Sequence, residues 1–112
     1  MDDLDRMKQA VSRLAPEQER LVAACLDAIV QGPYVDDDDE FHAVMGVSRD
    51  EAAVVAAAWP KPAADVSSFL TVSNALNNLL GYPHRQWRAL SRSIGAGERE
   101  VAEALVVWRA EN

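Results

Sequence analysis

Apolar residues recur at intervals of three and four along nearly the whole chain, and the runs break at Pro and Gly. That spacing puts side chains on one face of an α-helix. Leu4, Met7, Val11 and Leu14 mark a narrow stripe over residues 2–14, with Asp2, Asp3 and Asp5 in the first turn, where they suit the positive end of the helix dipole. Pro16 fits the first position of a second helix, because its missing N–H would be unpaired there anyway. Leu21, Val22, Cys25, Leu26, Ile29 and Val30 give that helix a broad stripe, and Gly32 ends it. A short third helix is expected around Phe41, Val44 and Met45, with acidic residues at its N-terminal end. Ser48 and Glu51 form the capping box of a fourth, which is expected to bury Ala52, Val55, Ala56 and Trp59 before Pro60 and Pro62 stop it. A fifth helix starts near Ser67 with Phe69, Leu70, Val72, Leu76, Leu79 and Leu80 as its apolar set and Gly81 as its close. Pro83 can open the sixth, carrying Trp87, Leu90 and Ile94. After a turn at Gly95 and Gly97, the seventh runs from Glu98 to Ala110 and buries Val101, Ala104, Leu105 and Trp108. No segment alternates with a two-residue period, so the spacing predicts an all-α fold, a compact helical bundle of about seven helices.

The pattern also repeats. Gly32 to Trp59 aligns without gaps on Gly81 to Trp108 at an offset of 49 residues, with a Gly, a short helix, a second Gly and an amphipathic helix ending in Trp in each. Five positions are identical: Gly32/Gly81, Gly46/Gly95, Glu51/Glu100, Ala53/Ala102 and Trp59/Trp108. A helical unit of this size cannot bury its apolar face alone and must stack on a neighbour. The expectation is one domain, 1–112, built from two related helix-turn-helix-like halves, roughly 16–59 and 65–108, with 60–66 as the linker.

Composition narrows the class. A chain of 112 residues that is 49% hydrophobic, with five Gly and five Pro, is long enough for one real core and is not disordered. The net charge of −7 is uneven: residues 1–59 hold 13 acidic and 5 basic side chains, and residues 60–112 hold 5 and 6. The first half therefore disfavours contact with nucleic acid or an anionic membrane. The single Cys25 lies on an apolar helix stripe and reads as a small core hydrophobe in a reducing compartment. With no apolar leader and no apolar run of spanning length, a cytoplasmic protein is expected.

Four groups could carry function. Asp36, Asp37, Asp38, Asp39 and Glu40 form an acidic run that reads as a solvated face or as a docking surface for a basic partner. As a calcium loop it fails, since Phe41 and Val47 stand where the sixth-position Gly and the twelfth-position Glu belong. His84, Arg85, Arg88 and Arg92 are the cationic cluster, placed beside Trp87; they could hold phosphate, or pair with the acidic run between the halves or between copies. Asn74, Asn77 and Asn78 interrupt an apolar helix, so they either satisfy buried backbone groups or bind a small ligand with His84. Lastly, both Gly turns resemble a helix-turn-helix, yet the recognition positions would be Arg49, Asp50 and Glu51 or Glu98, Arg99 and Glu100, carboxylates that phosphate repels. With two His, one Cys, no Gly-rich phosphate loop, no nucleophile elbow and no zinc spacing, the sequence points to no enzyme, no metal and no cofactor.

At CLDAIVQGPY, EFHAVMGVSRDE and SNALNNLLGYPH the chain resembles a group of small bacterial proteins, mostly known as conserved hypothetical proteins, that share G-P-[FY], E-F-H and N-x-L-N-N-L-L-G. The resemblance implies a bacterial single-domain protein and supplies no activity. The functional expectation is a noncatalytic interaction module, of the size and charge of immunity proteins and antitoxins, that binds a basic protein through its acidic surface or associates with itself. The alternatives are a helix-turn-helix regulator reading DNA through Arg85, Arg88 and Arg92, and a small-ligand protein using Asn74, Asn78 and His84.

Overall fold

Local signals start or stop most of the helices where the sequence places them, while the sixth helix begins at Trp87 and its expected opening at Pro83 lies outside the described residues. The computed structural model describes residues 3–35, 37–61, 66–81 and 86–110, and within them are seven helices and no β-strand. They are α1 (Asp3–Arg13), α2 (Pro16–Gln31), α3 (Asp38–Met45), α4 (Arg49–Ala58), α5 (Val66–Gly81), α6 (Trp87–Ile94) and α7 (Glu98–Arg109), with a 3₁₀ turn over Pro33–Val35. Asp37 caps α3 by accepting the Glu40 N–H at 3.0 Å. The Ser48–Glu51 box closes at 3.1 Å in both directions. Gly46 and Gly95 end α3 and α6 at φ of 76° and 70°, a left-handed conformation in which a side chain would be strained. Asp2, Asp36, Pro83, His84, Arg85 and most of the 60–66 linker lie outside the described residues.

α3 and α6 begin 49 residues apart, as do α4 and α7, and these helices pack crosswise on α2 and α5. α2 and α5 form a central pair; α4 lies on α2 and α7 on α5, while α3 packs against α5 and α6 against α2. α1 covers α7 and α5. The 13.0 Å radius of gyration is what one compact domain of this length should have.

Trp108 fills the middle of the core. It is fully buried, its indole N–H donates to the Ser73 hydroxyl at 3.0 Å, and Phe69 stacks on it with centroids 5.2 Å apart. Trp59 reaches it from α4 at 5.5 Å and a 57° tilt, and donates its own N–H to the Glu19 carbonyl of α2. Aromatic pairs at that distance and tilt attract edge to face. Met7, Val22, Cys25, Leu26, Ile29, Phe41, Met45, Leu76, Leu79 and Leu90 complete the core. Burial pushes the Cys25 thiol up to about 12, which keeps it protonated and inert.

On α4 the expected face turns inward: Ala52 is buried, and Val55, Ala56 and Trp59 are half-buried against the core. One expected position needs correction. Leu70, expected in the core, is 49% exposed: α5 turns Thr71 and Ser73 inward instead, and Ser73 meets Trp108.

Candidate interaction surface

The acidic run forms the N-terminal end of α3, where Asp37, Asp38, Asp39 and Glu40 are all exposed. Asp50 and Glu51 at the start of α4 are exposed as well. What joins the two helix starts is Arg49. Its guanidinium donates to the Val30 carbonyl at 2.8 Å, to Ile29 at 3.5 Å and to Val35, pairs with Asp38 at 2.8 Å, and lies 4.4 Å over the Phe41 ring. One planar fork thus satisfies carbonyls at the negative end of α2 and ties α3 and α4 to them. At the start of a recognition helix Arg49 would face outward; in the fold its side chain is turned inward and 77% covered. Its signal was available, since a cation in the first turn of a helix opposes that helix's own dipole and needs an outside partner.

Three carboxylates of this edge have structural roles. Asp37 caps α3, Asp38 holds Arg49, and Glu51 caps α4. Hydrogen bonding to the Ser48 backbone, and then to its side chain, holds the Glu51 carboxyl below the usual range. Asp39, Glu40 and Asp50 make no ion pair among the described residues.

The cationic cluster stands apart. Arg88 and Arg92 are exposed and line a cleft of about 510 Å³ with Trp87, Ser91, Gly97 and Glu98. Among the described residues neither pairs with the acidic run: Asp38 takes Arg49 instead, and α6 lies on α2 while α3 lies on α5. Asn74 and Asn78 do not line that cleft. Asn74 donates its amide N–H to the Met45 carbonyl at 2.9 Å, and Asn78 to Val44 at 3.0 Å and to Asn74 at 2.8 Å. Both carboxamides thereby serve the last carbonyls of α3, which the helix leaves unpaired. Asn77 is exposed.

Arg13 was not singled out by the sequence. From the end of α1 it donates to the Val107 and Trp108 carbonyls at 3.2 and 2.8 Å, closing the end of α7 as Arg49 closes α2. Among the described residues no three His, Cys, Asp or Glu side chains are grouped to hold a metal ion, and no helix is long and apolar enough to cross a membrane. Compared with known proteins, the chain matches no family model, no curated protein and no solved structure.

Proposed function

We propose that the chain is a noncatalytic interaction module that binds a basic protein through the edge formed by the starts of α3 and α4. One observation carries this reading: Asp39, Glu40 and Asp50 are exposed beside carboxylates that have structural work, and have no ion pair of their own among the described residues. Arg49 fixes that edge to the bundle, so a partner meets charges already held in place and little ordering remains to be done on binding. The size and acidity are those of immunity proteins and antitoxins in the bacterial cytoplasm, where a basic toxin surface is the matching chemistry.

The test uses D39K/E40K, which leaves both caps and the Asp38–Arg49 pair untouched. Wild-type chain immobilised at low salt is expected to retain a basic protein that elutes as ionic strength rises, with binding to D39K/E40K weakened about tenfold. Equal retention by both proteins would overturn the reading. Salt-sensitive mobility shifts of bulk DNA, abolished by R88A/R92A, would replace it with the DNA-binding alternative.

A further inference from the structure

The outer face of α4 is uncharged along its middle. Five Ala and two Val fill seven of its ten positions, and only Ala52 is buried. Val54 is 67% exposed, and Ala57 and Ala58 are exposed beside it. At the helical rotation of about 100° per residue, Asp50, Val54 and Ala57 fall on one line, with Glu51 and Ala58 flanking it. Lys61, exposed, stands at the far end, its N–H donating to the Ala58 carbonyl at 2.8 Å. Val106 on α7 is equally exposed, but exposed Glu103 and Arg109 stand three residues to either side. A single exposed Val among charges is ordinary, whereas an outward strip of Val and Ala with charge only at its ends is the pattern of a contact surface.

We propose that this face of α4 joins two copies of the chain, packed antiparallel about a two-fold axis between Val54 and Ala57. The occupant follows from the charges. The strip is acidic at one end, Asp50 and Glu51, and basic at the other, Lys61, and neither Asp50 nor Lys61 has an ion pair among the described residues. A two-fold axis at the centre brings Asp50 of each copy to Lys61 of the other and sets Val54 against Ala57. A parallel arrangement would oppose like charges instead. Such self-complementarity is what an isologous interface requires, and the small side chains let the helices approach closely. Ten residues span about 15 Å, so the contact falls in the small, transient class of interfaces. This surface meets the acidic edge at Asp50 but includes neither Asp39 nor Glu40, so D39K/E40K tests the edge without touching the α4 strip.

Sedimentation equilibrium at low salt, from about 10 µM to 1 mM chain, tests it. The mass is expected to rise with concentration from 12.3 kDa toward twice that value. V54R should hold 12.3 kDa throughout. D50K and K61D should each raise the half-association concentration about tenfold, and D50K/K61D should restore it. Because the double variant contains both changes, its recovery cannot be a folding artefact. The proposal fails if the wild type stays at 12.3 kDa at 1 mM, if V54R associates like the wild type, or if the double variant is no better than the singles.

Discussion

Trp108→Ala is expected to lower unfolding free energy by about 4 kcal/mol and the melting temperature by roughly 15 °C. The indole is the largest fully buried side chain, and removing it deletes its contacts with Phe69 and Trp59 and leaves the buried Ser73 hydroxyl without its donor. An aromatic deletion in a core costs the lost transfer energy plus the cavity, and α5 and α7, which both line the hole, cannot close it without moving the central pair. Val106→Ala, two residues earlier on the same helix and 70% exposed, should change stability by less than about 0.5 kcal/mol. Urea denaturation followed by circular dichroism measures both. Similar values for the two would mean that Trp108 does not occupy the core.

Arg49→Met should cost about 3 kcal/mol by the same measurement. Methionine preserves much of the aliphatic stem, so the loss isolates the guanidinium, its contact over the Phe41 ring included. Carbonyls at the end of α2 and in the 3₁₀ turn would lose a charged donor, and α3 and α4 would lose their common anchor. Asp38→Asn is the control. That carboxylate is 82% exposed, and an exposed ion pair contributes at most about 1 kcal/mol. A large effect of Asp38→Asn together with a small one of Arg49→Met would place the energy in the ion pair and remove the backbone clamp as its source. Arg49→Lys should fall between, because an ammonium cannot span several carbonyls as a planar fork does.

The helices were legible because their boundaries are written in neighbouring residues. Pro16, Gly46, Gly95 and the Ser48–Glu51 box act within one turn of where they stand. Faces were legible where the stripe is strong, as on α2 and α7, whose expected core positions are buried apart from half-buried Val30. On α4 the expected inner positions pack against the core, whereas on α5 the broad apolar set placed Leu70 inside and it is exposed, because hydrophobicity alone does not say which positions of a broad set face the core. The offset of 49 residues brings out the same limit. Arg49 and Glu98 occupy equivalent places, yet one is folded against α2 and the other is exposed. Gly32 is crowded, with a Cβ there only 2.5 Å from the Ala28 carbonyl oxygen, while a Cβ at Gly81 would meet open space. Matching letters do not guarantee matching surroundings. The candidate surface was legible as a charged run; which carboxylates are engaged was not, because Arg49 lies eleven residues from Asp38 and up to twenty from its carbonyls.

The contact between Trp59 and Trp108 has an optical consequence. Two indoles with centroids 5.5 Å apart and planes tilted by 57° couple their electronic transitions, giving a paired positive and negative signal in the ultraviolet absorption of circularly polarised light. That exciton signature depends on α4 and α7 being in register, so it reports the docking of these two outer helices from within the molecule, without any attached dye.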